Sequence, residues 1–528
     1  MSRVSWSPSR SGFWGLIGGA LHALSLSPWV DGLATGAPMV LQTAALLMLL
    51  WGLERQSSPR RAAWLSWMYG VVWLVGATGW TFVSLHRYGG LPAWMAVVAV
   101  LLLCAGLSLY LAMAGWAWGR WRTGIVWRDA VLFGVLWLLA ELARALIFTG
   151  FPWGASGYGL LDTPLEHLAP WLGVYGMGWV WATLCAWSLW SMMSGRRSPA
   201  MWTARLWPAS LVLAVAAAGA VWDGAAYTRV WGHPLRVTLL QGNVPQDEKF
   251  TPSRQIEALI WHAQQLVAAP GDLVVAPETA IPLLPTQLPE GYWAQIQAAF
   301  QQEGRHALIG VPLGDFDQGY TNSVVGLSLV TAGVPGEIYR YDKHHLVPFG
   351  EFIPDGFRWF VRMMNIPLGD FLRGPIAAPS FHVMGQRVAP NICYEDLFGE
   401  EIAARFMQPA QAPTILANVS NLAWFGESVA IHQHLRIARL RSLEFQLPTI
   451  RATNTGATVV INHEGQVTAQ LASNTRGSLQ TEVQGMSGIT PYAWWAGRWG
   501  LWPLIVLGAL WVLTSAIWGP RRVNDASI

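Results

Sequence analysis

Eight apolar runs, at about 13–29, 33–53, 62–84, 92–118, 129–149, 169–193, 206–226 and 496–518, constrain this chain more than any other feature. Each is of near-spanning length, since roughly 20 helical residues cross a hydrocarbon core about 30 Å thick. The first run lacks a small-residue cleavage site and reads as a retained helix. Composition agrees: charged residues make up 12% of the chain, about half the usual soluble share. The 34 tryptophans favour membrane–water interfaces. A net charge of +3, with no Lys/Arg-rich run, gives no footing to a nucleic-acid partner.

Arginines set the orientation. Arg3 and Arg10 precede the first run; Arg55, Arg60 and Arg61 follow the second; Arg120, Arg122 and Arg128 follow the fourth. Arg196, Arg197 and Arg205 follow the sixth, and Arg521 and Arg522 the last. With eight spans these all lie on one side, and positive loops stay in the cytoplasm. Both termini are then cytoplasmic, and the stretch between runs seven and eight lies outside.

That stretch, about 232–488, differs in character. It holds short β-rich runs ("LRVTLLQGNV", "DLVVAPE", "HALIGVPL", "NSVVGLSLV", "TILANVS") alternating with helical stretches such as 252–268 and 428–445, plus a hairpin, "GATVVINHEGQVTAQL". The pattern predicts one α/β domain with strands buried on both faces. The expected organisation is a membrane domain over 1–231 with seven spans, an extracytoplasmic domain over 232–488, and an eighth span with a tail over 489–528.

Three cysteines do not make a disulfide framework. Cys104 and Cys185 lie in apolar runs and read as small buried residues. Cys393, in "PNICYEDLFGE", ends a β-rich run among polar neighbours. Glu278 in "VVAPETAIP" and Lys343 in "YRYDKHHLVPFGEFIP" also follow β-rich runs, where α/β sheets present reactive groups. Singly each has a plain reading: helix cap, solvated cation, buried thiol. Together they describe an activated nucleophile, with a carboxylate to take the thiol proton and an ammonium to stabilise negative charge.

The order Glu…Lys…Cys resembles the carbon–nitrogen hydrolase (nitrilase) superfamily, which implies an αββα sandwich. Eight membrane runs with this domain between the last two resemble the bacterial apolipoprotein N-acyltransferase family. "TGFPWGASGYG", "QGNVPQ", "APETAIP", "KHHLVPFGEFIP", "NICYE", "NVSNLAWFG" and "HQHLRIARLRSLE" support the likeness along nearly the whole chain. Two positions depart from the family: Phe250 stands where Trp is common, and Leu422 where Asp is common. Phe250 keeps an aromatic surface but no indole N–H; no role is carried onto Leu422.

The resemblance implies a polytopic helical protein of the bacterial inner membrane with a periplasmic catalytic domain, and no cofactor or metal. It implies acyl transfer from phosphatidylethanolamine, through a thioester on Cys393, to the α-amine of a diacylglyceryl-cysteine lipoprotein. Glu278 would be the base and Lys343 the oxyanion partner. Glu351, Tyr394 and Glu395 match further essential family positions, whereas Asp396 receives no role. The enzyme is expected to be a monomer.

The stretch 355–371 holds more large apolar residues than an ordinary loop. Phe357, Trp359, Phe360, Met363 and Met364 are expected, with Phe250, to contact lipid, as a mobile arm or, alternatively, as a helix packed on the domain. Glu141 and Arg144, three apart in the fifth run, read as a structural ion pair near the outer surface or as a headgroup site. His432 and His434 lack the further ligands a metal would need. Two other readings stand beside this one: a membrane-tethered nitrilase-type amidase, and a transporter with an outer binding domain.

Overall fold

The structure, a computed structural model, describes residues 8–194, 227–246, 251–302, 304–315, 317–329, 338–354, 356 and 371–518. The seventh apolar run, Phe250, Phe357, Trp359, Phe360, Met363 and Met364 lie outside the described residues. Two compact units emerge. One comprises the described residues up to Gly79, from Val97 to 194 and from Leu501 on; the other comprises Trp80–Ala96 and those from 227 to Gly500.

The first unit is helical: α1 (Pro8–Ser25), α2 (Ala37–Glu54), α3 (Pro59–Thr78), α4 (Ala93–Trp121, whose first residues belong to the second unit), α5 (Val126–Leu146) and α6 (Ala169–Ser194). Ser58 caps α3 by accepting from the Arg61 N–H, and Pro59 at the first position needs no N–H partner. Helices α1 and α3 approach through small residues: a Cβ on Gly19 would stand 2.5 Å from the Tyr69 carbonyl oxygen.

Three described helical stretches are each long and apolar enough to cross a bilayer: α2, α4, and Val126–Thr149, which extends α5 by a short turn. The number rises to five if each of two broken pairs is one span, namely Pro59–Thr78 with Thr81–Tyr88 and Pro491–Trp499 with Trp502–Ile517. The run at 496–518 is thus broken, at Gly500 (φ 55°). The run at 62–84 is likewise interrupted, because its last residues belong to the other unit.

A buried polar cluster inside the helical unit centres on Ser156. Glu141 Oε1 accepts from both the N–H and hydroxyl of Ser156, each at 2.8 Å. Arg144 lies 3.8 Å from Glu141 and donates to the Trp153 carbonyl at 2.9 Å. Trp137 and Gln42 also bond Ser156. These contacts tie the 150–160 stretch to its helix.

The second unit is a four-layer sandwich. Its strands are β1 (Thr228–Val230), β2 (Leu235–Gln241), β3 (Leu273–Val275), β4 (His306–Asp315), β5 (Gly319–Leu327), β6 (Tyr339–Asp342), β7 (Phe381–Val383) and β8 (Gln386–Ile392). They continue with β9 (Ile415–Ser420), β10 (Thr449–Thr453), β11 (Val459–Ile461), β12 (Val467–Gln470), β13 (Gly477–Val483) and β14 (Met486–Gly488). One six-stranded sheet has the order β13-β2-β3-β4-β5-β6, the other β12-β11-β10-β9-β8-β7; β1 pairs with β14. Each sheet is parallel at its centre, through β2–β3–β4 and β8–β9–β10, with antiparallel flanks.

Alternation along the strands builds the layers. Leu239, Val275, Leu308, Ile392, Val419 and Ile450 meet between the sheets. Leu240, Val274, Ala307 and Ile309 face the opposite way, against α7 (Pro252–Ala268) and α8 (Tyr292–Ala299). On the outer face of the second sheet, Ala389 and Leu416 pack with Ile402 of α9 (Gly399–Ala404), Phe445 of α10 (Val429–Phe445) and Tyr492 of α11 (Pro491–Trp499). The final helix, α12 (Trp502–Trp518), belongs to the first unit.

Trp80–Ala96, inserted from between α3 and α4, packs on this sandwich. Trp80 donates to Gln433 at 3.2 Å and its ring lies 4.3 Å from that of Phe425. Ser84 donates to the Trp424 carbonyl at 2.8 Å, and Leu91 and Ala96 are buried with Phe349 against them.

Candidate active site

Strand ends bring the reactive groups together. Glu278 follows β3 by a short turn, Lys343 follows β6 directly, and Cys393 follows β8 directly. The turn before Glu278 lies so close to β4 that a Cβ on Gly310 would stand 2.2 Å from the Pro277 carbonyl oxygen; only glycine admits that approach. Cys393 itself adopts φ 53°, a left-handed conformation costly for a residue with a side chain. It joins β8 to the one-turn helix Cys393–Leu397.

Lys343 is fully buried, and its Nζ lies 2.9 Å from Glu351 Oε1 and 3.5 Å from Glu278 Oε1. Burial works against the ammonium, but Glu351 and then Glu278 outweigh it and hold its pKa above the ordinary lysine value. Asn322, within β5, donates from one amide nitrogen to both carboxylates, at 2.8 Å to Glu278 and 2.7 Å to Glu351. Glu351 Oε2 accepts from the Val347 N–H at 2.8 Å, which fixes its loop. Glu278 Oε2 accepts from the Asn421 N–H at 2.8 Å, at the end of β9.

The Cys393 thiol is buried beside these groups. Burial, then the Glu278 charge, pushes its pKa up; Lys343 and a hydrogen bond from the Asn421 N–H pull the other way without overcoming them. The resting group is therefore a thiol that feels the Glu278 charge.

Glu395 is a buried tie. Its Oε2 accepts from Tyr341 OH (2.7 Å) and the Ile392 N–H (2.6 Å), and its Oε1 from the N–H groups of His344 (2.6 Å) and His345 (3.1 Å). It thus joins the strand end before Cys393 to the loop after Lys343. Tyr394 is a packed aromatic, its ring 5.3 Å from Phe398 and 5.7 Å from His345. Asp396, without a role in the sequence reading, forms a buried ion pair with Arg451 at 3.0 Å. Its pKa is raised to about 6 by burial, against the pull of Arg451.

Sequence reasoning missed Asn322, Asn421 and Arg451, and weighed His434 only as a metal ligand. Signals existed: an arginine in the apolar strand "TIRAT" needs a buried partner, and "NVSN" places amides at a strand end. Phe250, Phe357, Trp359, Phe360, Met363 and Met364 fall outside the described residues, so the geometry adds nothing on them.

Comparison with known proteins follows the same division. Residues 18–187 match the family model for the apolipoprotein N-acyltransferase N-terminal domain, and residues 236–492 that for carbon-nitrogen hydrolase. An apolipoprotein N-acyltransferase of Verminephrobacter eiseniae (strain EF01-2) is 49% identical, covering 92% of this chain and 93% of the relative. One of Ralstonia nicotianae (strain ATCC BAA-1114 / GMI1000) is 43% identical, covering 96% and 93%. A solved carbon-nitrogen hydrolase from Helicobacter pylori G27 is 19% identical with a TM-score of 0.33, covering 52% of this chain and 94% of that one. The resemblance read from the motifs thus holds over nearly the full length, and the chain belongs to the apolipoprotein N-acyltransferase family, membrane proteins with a nitrilase-like carbon–nitrogen hydrolase domain.

Proposed function

We propose that this chain transfers the sn-1 acyl group of a phospholipid, phosphatidylethanolamine, to the α-amine of a diacylglyceryl-cysteine lipoprotein, in two halves through Cys393. The observation that supports this best is a buried thiol beside a carboxylate and a fully buried ammonium. Glu278 takes the thiol proton and the thiolate sulfur attacks the ester carbonyl. Lys343 and neighbouring backbone N–H groups stabilise the oxyanion, a contribution worth several kcal/mol in such sites. Collapse breaks the ester C–O bond, and the lysophospholipid oxygen leaves with the proton from Glu278. The lipoprotein amine then attacks the thioester, Glu278 accepts its proton, and the thiolate leaves and regains it.

Glu351 and Asn322 hold Lys343 and Glu278 in place, and Glu395 keeps the two strand-end loops in register. The enzyme is a monomer in the cytoplasmic membrane. It has eight spans, both termini inside, and its domains at 1–231, 232–488 and 489–528. The arm residues Phe357, Trp359, Phe360, Met363 and Met364, with Phe250, meet the lipid chains. The arginine distribution and the eight apolar runs support that topology.

The test is incubation of the purified protein with acyl-labelled phosphatidylethanolamine. A hydroxylamine-sensitive label on wild type, absent from Cys393→Ala and chased by a diacylglyceryl peptide amine, is the expected result. No label on wild type, or equal label on the variant, defeats the reading.

A further inference from the structure

A second buried polar chain reaches the Cys393 backbone. The carbonyl oxygen of Cys393 accepts from His434 Nε2 at 3.1 Å and from Asn418 Nδ2 at 3.4 Å. Arg451 Nη2 lies 3.0 Å from His434 Nδ1, and Arg451 Nη1 donates to the His434 carbonyl at 3.2 Å and to Asp396 Oδ2 at 3.0 Å. His434 Nε2 is 3.7 Å from Asp396 Oδ2. His434 and Arg451 are wholly buried, and Asp396 nearly so.

The donors decide the tautomer. A guanidinium can only donate, so His434 Nδ1 accepts and the ring proton resides on Nε2, facing the Cys393 carbonyl. Burial, reinforced by the Arg451 charge, holds the imidazole well below its ordinary range, so the ring is neutral. A neutral ring whose donor is spent on a backbone carbonyl is poorly placed for proton transfer. It is well placed to hold a peptide still.

That peptide needs holding. Cys393 sits at φ 53°, and such strain persists only where surroundings over-determine it. The peptide plane links the Cys393 carbonyl rigidly to the Tyr394 N–H, which points the opposite way. Anchoring one end therefore sets the other, together with the Cα from which the thiol projects.

We infer that His434, oriented by Arg451 and Asp396, is a positioning residue that locks the strained Cys393 peptide and so aims the thiol at the ester. The inference rests on the acyl-transfer reading of Cys393.

Full-length His434→Gln, His434→Asn and His434→Phe would be compared by single-turnover labelling from acyl-labelled phosphatidylethanolamine, with thermal stability measured alongside. A glutamine amide reaches where Nε2 lies; an asparagine amide reaches only to Nδ1. Asn and Phe are expected to lose roughly 100-fold in the rate of thioester formation, the cost of about 1 Å of misalignment. Their KM and pH profile should be unchanged, and Gln should recover most of the rate. Should His434→Phe fail to fold, the Gln–Asn contrast decides alone. Equal rates for Gln and Asn, a loss confined to KM, or a displaced pH profile would each overturn the proposal. Absence of label on wild type would instead defeat the underlying reading.

Discussion

The backbone N–H of Asn421 donates to the Glu278 carboxylate at 2.8 Å, so the end of a strand in one sheet orients a side chain carried by the other. The Asn421 backbone also draws the Cys393 thiol pKa down. Proposed base and nucleophile thus both feel the same strand end, and the site depends on how the two sheets are stacked.

Glu278→Gln should separate acidity from catalysis. The Glu278 charge raises the thiol pKa, so its removal makes Cys393 more acidic. Alkylation of the thiol by iodoacetamide near pH 9 should therefore speed up. Acyl transfer should fall by about 10²–10⁴-fold, the usual worth of a general base. Slower alkylation in the variant would contradict the electrostatic account.

Lys343→Met leaves Glu278 and Glu351 facing each other without their cation. Breaking a buried pair from one side costs about 3–5 kcal/mol, read as a lowered unfolding midpoint in detergent. Adding Glu351→Gln should restore more than half of that loss while leaving acyl transfer abolished. A double variant no more stable than Lys343→Met would show that the 2.9 Å contact is not the source of the cost.

Glu395 accepts four hydrogen bonds from distinct donors. Glu395→Gln turns an NH₂ toward two of them and should destabilise the fold by about 2–6 kcal/mol, at about 1–3 kcal/mol for each unmet donor. Tyr341→Phe removes one donor and should cost about 1 kcal/mol. Denaturation of the two variants side by side checks the ratio; equal losses would reject a four-way tie.

Glu400 gives a pH-dependent stability. Burial, then the neighbouring Glu401 charge, raises its pKa from 4.5 to about 7. A carboxyl that is harder to ionise when folded favours the fold at low pH, and this contribution is lost as pH rises from about 4.5 through about 7. Glu400→Gln should match wild type near pH 4.5 and exceed it at pH 8 by about 1–2 kcal/mol, less than the full shift implies because the site is partly open. Thermal scans across that window test the sign; a variant less stable at pH 8 would refute it.

The sandwich was readable because its central strands are short, near-continuous apolar runs buried on both faces. The runs quoted for β2, β3, β4, β5 and β9 fall on those strands, the stretches at 252–268 and 428–445 are α7 and α10, and the quoted hairpin is β11–β12. Glu278, Lys343 and Cys393 were legible because each follows a β-rich run. Asn322, Asn421 and the bonding of His434 were not, because their importance lies in bonds to residues 29 to 143 positions away along the chain. Periodicity fixes which face a side chain takes, not what it meets across the sandwich. The first unit shows the opposite limit: hydropathy finds apolar runs but not the breaks at Gly79 and Gly500 that hand part of a run to the other unit.

Residues Trp80–Ala96 give the sandwich a boundary that no single cut can respect. A polypeptide spanning only 227–500 would lack the partners of Phe349, Trp424 and Phe425, two of which flank the loops bearing Glu351 and Asn421. Such a fragment would present bare aromatic surface to water and tend to self-associate. Supplying 80–96 as a tethered peptide is the minimal repair. Biogenesis inherits the same dependency: a stretch synthesised early, amid the helices, must wait for the last third of the chain before it finds its seat.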